Sequence, residues 1–126
     1  MTLGETWEEA VKNSYRRGYD HFDGIGYKEI KETMRRWAEK HDQDHAVHMA
    51  MNDVGIDAAI SENQAHRELW WDIEEFFKNH QSKEMYERFQ REAVVAEDLD
   101  TAFEAGAYDA LLGNESDVSE VSIFYE

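Results

Sequence analysis

The chain contains no cysteine and no proline. Without cysteine there can be no disulfide, no thiolate metal ligand and no cysteine nucleophile. Without proline the strongest helix breaker is missing. Long apolar runs are lacking as well. None approaches the ~20 residues of a membrane span, and Met1–Glu9 has neither a basic segment nor an apolar one of the secretory kind. Bases are scarce too: 13 Lys plus Arg stand against 29 Asp plus Glu, a formal charge of −16. That balance speaks against direct binding of nucleic acid or of an anionic membrane. What the chain does have is apolar substance, 41% hydrophobic residues and 13% aromatics, too much for a disordered acidic tail. A length of 126 residues predicts one domain (1–126), expected in the cytoplasm and able to bury about two-thirds of its unfolded surface.

Apolar spacing predicts an all-α fold, a compact bundle of about six short helices. Thr6 and Glu9 read as a capping box opening a helix with Trp7, Val11, Tyr15 and Tyr19 in one stripe. Asp23 to Gly26 reads as a turn, followed by a helix with Tyr27, Ile30, Met34 and Trp37 inward. A third helix from about Gln43 to Asp53 carries Ala46, Val47, Ala50, Met51 and Val54, and Gly55 ends it. Ser61 and Gln64 suggest the start of a fourth, with Leu69, Trp70, Ile73, Phe76 and Phe77 on one face. Ser82 caps a fifth bearing Met85, Phe89 and Ala93. A sixth starts near Asp98 to Thr101, buries Phe103, Ala107, Leu111 and Leu112, and stops at Gly113. At the end, Val121, Ile123 and Tyr125 alternate with Ser122 and Phe124, the pattern of a short edge strand.

Charge divides the chain. Residues 1–40, read as a charge-neutral helical hairpin, hold as many bases as acids, so residues 41–126 carry the whole net −16. Beyond Arg91 there is no Lys or Arg at all, although carboxylates continue to the end. Such asymmetry points to a basic partner, since self-repulsion opposes compaction. The plainer readings are a solvating surface or a salt-adapted protein.

Enzymatic motifs are absent. Gly24-Ile25-Gly26 has Glu29 where a dinucleotide fingerprint needs its third glycine, and no strand precedes it. Adjacent acids such as Glu74-Glu75 and Glu97-Asp98 do not by themselves drive two pKa values apart, as acid–base catalysis requires. No enzyme and no cofactor are expected. His41, Asp44, His45 and His48 fall at i, i+3, i+4 and i+7, a stripe that helical angles turn away from Ala46, Val47 and Ala50. Such a stripe makes an open, weak metal site at most, and a solvated polar face is the expectation. Arg16-Arg17 and Arg35-Arg36 read as surface ion pairs, or as groups that meet the acidic half of a second copy.

The fourth helix is more informative. Glu68, Asp72 and Glu75 fall along one flank, stepping roughly 4.5–6 Å along the axis. Phosphates on one DNA strand advance ~3.4 Å, so carboxylate rows on several helices together can approximate a duplex. Trp71, opposite the core face, is a natural anchor for a partner or a second copy.

The stretch Asp44-His45-Ala46-Val47-His48-Met49-Ala50-Met51-Asn52-Asp53 resembles the central Asp-Ala-Ile-His-Met-Ala-Ala-Asp-Asn segment of the Ocr family of phage anti-restriction proteins. Ala46, His48, Met49 and Ala50 match, and Val47 is conservative. Leu69-Trp70-Trp71-Asp72-Ile73-Glu74-Glu75 is similar to that family's Leu-Trp-Glu-Asp-Ala-Glu-Asp. The resemblance covers under a fifth of the chain, and the family's dense Glu-rich terminal run has no counterpart here. It implies an all-helical, dimeric mimic of duplex DNA that fills the DNA groove of a restriction enzyme or a similar host defence complex.

Together these readings predict an acidic, phage- or mobile-element-encoded inhibitor of a basic nucleic-acid-binding host protein: a restriction enzyme, BREX or CRISPR-type complex. Its contact residues would be Glu68, Asp72, Glu75, Glu97, Asp98, Asp100, Glu104 and Asp109, with Trp71 among them. The alternatives are an immunity or antitoxin protein neutralising one basic toxin or nuclease, a salt-adapted helical protein, and a metal-binding protein using His41, His45 and His48.

Overall fold

A computed structural model describes the backbone of residues 2–23 and 28–125, and their side chains except those of 28–30 and 56–58. The elements are α1 (Trp7–Asp23), α2 (Lys28–Ala38), α3 (Gln43–Val54), α4 (Ile56–His80), α5 (Lys83–Arg91), a 3₁₀ turn (Ala93–Ala96), α6 (Glu97–Leu112) and a second 3₁₀ helix (Val118–Phe124). The fold is all-α. No described helix is long and apolar enough to cross a membrane.

Helix ends follow local chemistry. Thr6 Oγ1 accepts the Glu9 amide at 3.2 Å, while the Glu9 carboxylate reaches back to the Glu5 amide. Asp42 caps α3 by accepting from the His45 amide, and Ser82 caps α5 by accepting from the Met85 amide. Gly55, at φ 145°, separates α3 from α4. Gly113, at φ 78°, closes α6 with its amide turned back onto the Asp109 and Ala110 carbonyls, a left-handed cap that suits glycine. No side chain caps the start of α6, but Glu97, Asp98 and Asp100 in its first turn face the positive end of the helix dipole.

α6 is the hub. Leu99, the run from Ala102 to Ala107, and Asp109 to Leu111 are all buried. It packs most extensively on α1 and also touches α2, α3 and both 3₁₀ segments. Gly18 of α1 and Gly106 of α6 bring the two backbones together: an added Cβ would stand 2.1 Å from the Phe103 carbonyl oxygen and 2.0 Å from that of Tyr15. Val11, Tyr15, Phe22, Met34, Val47, Met51, Leu69, Ile73, Phe76, Phe77, Leu99 and Phe103 fill the core. Residues 1–40 divide between partners, α1 lying on α6 and α2 on α3.

Several expectations need correction. α4 begins at Ile56, so Ser61 lies inside it and contacts His21 Nε2 at 3.1 Å instead of capping. With Gly55 already marking the break, nothing from Ile56 to Ile60 stops a helix. Ala93 is exposed beyond α5, which ends at Arg91 where Glu92 turns to φ −135°, ψ 87°. The alternating tail is a 3₁₀ helix and not a strand. Asp117 accepts from the Ser119 amide and starts it, Val121 is buried, and Trp7 Nε1 donates to the Phe124 carbonyl at 2.7 Å. No sheet lies within reach among the described residues, so a helical path satisfies the backbone. The predicted turn at Gly24–Gly26, and the inward Tyr27 and Ile30, lie outside the described residues and side chains.

Candidate functional site

The predicted acidic contacts separate by depth. Glu68, Glu75, Glu97 and Asp98 are exposed, as is Trp71 at 61%. Trp71 stands between two grooves. The larger, about 430 Å³, is lined by Arg17, His21, Ala65, Glu68 and Asp72; the other, about 220 Å³, by Gln64, Arg67 and Glu68. Asp72 is half-buried and pairs with Arg17. Asp100 is partly buried against His66.

Glu104 and Asp109 are not on the surface at all, being 1% and 4% exposed. The reason is the central place of α6. Its small residues (Ala102, Ala105, Gly106, Ala107) admit neighbouring helices so closely that its acids turn inward with the rest. Asp109 accepts from the Tyr15 hydroxyl at 2.6 Å and from Asn114 Nδ2 at 3.2 Å, and that hydroxyl accepts the Asp117 amide at 2.9 Å. This knot joins α1, α6 and the C-terminal loop. Burial, then Asp109, holds the Tyr15 hydroxyl well above the usual phenol range. Burial and the hydrogen bond with Asp109 push Glu120 up to about 7.

The histidine stripe also divides. His41 precedes α3, and its ring stacks on His45 with centroids 4.4 Å apart; both are exposed. His48 turns the other way, toward the bundle. Its Nδ1 lies 2.9 Å from Glu62 Oε1, and its Nε2 lies 3.3 Å from Asp44 Oδ1 and 3.6 Å from Glu104 Oε1. The expected solvated polar face is thus seen at His41 and His45, while His48, its side chain still 40% exposed, also reaches buried Glu62.

Around it three helices each contribute two residues at i, i+4: Asp44 and His48 from α3, Glu62 and His66 from α4, Asp100 and Glu104 from α6. That spacing puts each pair on one face of its helix. His66 Nε2 is 2.5 Å from Asp100 Oδ1 and also receives Trp70 Nε1–H at 3.2 Å, so one ring nitrogen meets an acceptor and a donor together. Glu62 and Glu104 are buried; both oxygens of Glu104 lack a hydrogen-bond donor, whereas Glu62 Oε1 faces His48 Nδ1. Electrostatics follow. Glu62 first, with Glu104 and Asp44 adding, raises His48 to about 9 against the opposing effect of burial. The Asp100 carboxylate raises His66, and burial raises Glu104 to about 9.

Among the described residues, two trios have donor atoms within 4.8 Å of one another and could hold a metal: Asp44, His48 and Glu104, and His66, Asp100 and Glu104. Sequence reasoning placed Glu104 on a partner-binding face and did not single out Glu62 or His66. The available signal was the acid or histidine at i, i+4 on three separate helices, set beside the Ala- and Gly-rich surroundings of Glu104. No family model matches the chain, no curated protein matches it, and no solved structure matches it.

Proposed function

We propose that this chain is an acidic inhibitor that occupies the nucleic-acid-binding groove of a basic host defence protein, presenting carboxylates where that protein takes phosphates, in the manner of the Ocr-type proteins its Asp44–Asp53 stretch resembles. One observation carries the reading. From Glu97 to Tyr125 the surface exposes Glu97, Asp98, Glu115, Asp117 and Glu120, and the span itself holds no Lys or Arg, Lys12 reaching it at Tyr125 and Lys31 at Gly113. Glu68, Glu74 and Glu75 add to this on α4 around the exposed Trp71. Glu104 and Asp109 leave the contact set, because a buried carboxylate cannot replace a phosphate. The mechanism is competitive occupation. Counterions released from the partner's groove drive association, so affinity falls steeply with salt.

The test is capture from bacterial lysate at ~100 mM salt, with elution by short duplex DNA and identification by mass spectrometry. A nuclease, methyltransferase or interference complex in the DNA eluate supports mimicry. The triple variant Glu68→Lys, Glu75→Lys, Glu97→Lys should then lose capture while keeping its helicity. A partner that DNA cannot displace would replace mimicry with an immunity-type cap, and full capture by the triple variant would remove the acidic face from the mechanism.

A further inference from the structure

We propose that Asp44, His48, Glu62, His66, Asp100 and Glu104 form a binding site for a first-row divalent metal ion at the junction of α3, α4 and α6, with Glu104 at its centre. The inference is independent of the partner reading above.

Glu104 carries the argument. Its side chain is 1% exposed, and neither oxygen receives a hydrogen bond. The nearest cationic group is His48 Nε2, 3.6 Å from Oε1, outside hydrogen-bond range. A buried carboxyl with its lone pairs unanswered keeps its proton, or gives it up to a metal ion that takes the same place. Glu62 differs: its side chain is 4% exposed, but its Oε1 lies 2.9 Å from His48 Nδ1, so a cation already faces it. Glu104 also belongs to both candidate trios, Asp44–His48–Glu104 and His66–Asp100–Glu104. A carboxylate has two oxygens, so the same side chain can serve either trio or bridge them.

The donor set names the class of ion. Imidazole nitrogen with carboxylate oxygen and no thiolate suits Zn²⁺, Mn²⁺ or Fe²⁺. It is too nitrogen-rich for Ca²⁺ or Mg²⁺, which take oxygen. Ligand bonds of ~2.0–2.2 Å place donors across a metal about 4.4 Å apart at most. The atoms of each trio, all within 4.8 Å of one another, need only a small contraction to close on an ion. Three packed helices hold them, so the ligands are positioned by the fold and not by a loop.

An ion can also reach them. His66 and Asp100 side chains are 31% and 24% exposed. A groove of about 300 Å³, lined by Trp70, Ala93, Val94, Glu97 and Asp100, opens on that side. Trp70 Nε1–H now points at His66 Nε2. Metal on that nitrogen would displace the indole donor, so the indole environment reports occupancy.

The experiment is titration of chelator-stripped protein with Zn²⁺, Mn²⁺ and Mg²⁺ by calorimetry, with Co²⁺ added separately for its visible spectrum and Trp fluorescence recorded throughout. The expected result is saturable Zn²⁺ or Mn²⁺ binding at one or two ions per chain, no comparable Mg²⁺ binding, and Co²⁺ bands of nitrogen–oxygen ligation. Glu104→Gln keeps the shape of the side chain but cannot give up a proton to become an anionic ligand, and should weaken binding about 100-fold. His66→Gln, more exposed, gives a second variant should the first not fold, and should lose the fluorescence response. The pair His41→Gln, His45→Gln should leave binding unchanged. No binding by the parent chain would overturn the assignment. So would full binding by Glu104→Gln or His66→Gln, or loss of binding confined to the His41, His45 variant.

Discussion

Replacing Gly106 by Ala should loosen the molecule far more than one methyl group suggests. The added Cβ would lie 2.0 Å from the Tyr15 carbonyl oxygen and 2.8 Å from the Tyr19 amide nitrogen, both backbone atoms of α1. No rotamer change relieves a clash with backbone. Van der Waals contact requires α1 and α6 to part by more than ~1 Å, and a gap of that size forfeits up to about half of the dispersion energy across the contact. Overpacking of this severity sits at or above the top of the usual 1–3 kcal/mol, about 4 kcal/mol here. Better helix propensity returns about 1 kcal/mol. The net loss is therefore about 3 kcal/mol, a large part of a typical total of ~5–15 kcal/mol. For a domain of this size that lowers Tm by roughly 10–15 °C. Calorimetry on the metal-free protein, with urea melts showing a lower midpoint at unchanged slope, measures it. Thr101→Ala, exposed on the same helix, is the control and should stay within about 0.5 kcal/mol. Gly18→Ala, aimed at the Phe103 carbonyl, should behave like Gly106→Ala. The double variant should cost less than the sum, since either change already separates the same helices. A Gly106→Ala protein as stable as its parent, or more so, would show propensity governing alone and would refute the close approach.

Tyr15→Phe removes the hydroxyl that donates to buried Asp109 and accepts the Asp117 amide, and should cost about 2 kcal/mol in a urea melt; an unchanged midpoint would mean the hydroxyl is idle. Glu120, held near 7 when folded against an ordinary 4.5, binds its proton more tightly in the native state, so its contribution is full below about 4.5 and is lost as pH rises to about 7. His48 and Glu104, both raised to about 9, act in the same direction, His48 between 6.5 and 9 and Glu104 between 4.5 and 9. Tm should therefore be higher at pH 5.5 than at pH 8, with Glu120→Gln flattening the lower part of that slope; a parallel slope in the variant would exclude Glu120 as its source. With a net charge of −16, stability should rise as NaCl goes from low to near-molar concentration, because screening relieves self-repulsion. A salt-independent Tm would mean that the exposed acids are already locally balanced.

Local rules made most helix positions legible. Apolar stripes located α1 and α3, Ser82 marked the start of α5, and Gly55 and Gly113 closed α3 and α6 where backbone conformations favouring glycine were needed. The start of α4 was misplaced because Ser61 is chemically fit to cap while nothing upstream of it prevents a helix. The tail was misread because alternation over five residues cannot reveal whether a partner strand exists. Depth was the least legible quantity. An aspartate or glutamate counts equally in a charge sum wherever it sits, and only the packing around α6 sends Glu104 inward while Glu97 and Asp98 stay outside. The meeting of His48, Glu62 and Glu104 joins three helices, so no local window contains it.

Among the described residues the most extensive helix–helix packing joins α1 to α6, across most of the chain. During synthesis α1 therefore emerges long before the surface that covers Val11, Tyr15 and Phe22 exists. Its apolar stripe must wait, exposed, until Phe103 and Gly106 have left the ribosome, since those residues supply its seat. Contacts between such distant segments are slow to close, because the intervening loop entropy is lost before the contact rewards it. Folding of this domain is then a late event that depends on α6, and chains interrupted before that helix would carry a sticky, unpaired α1 that chaperones and proteases recognise.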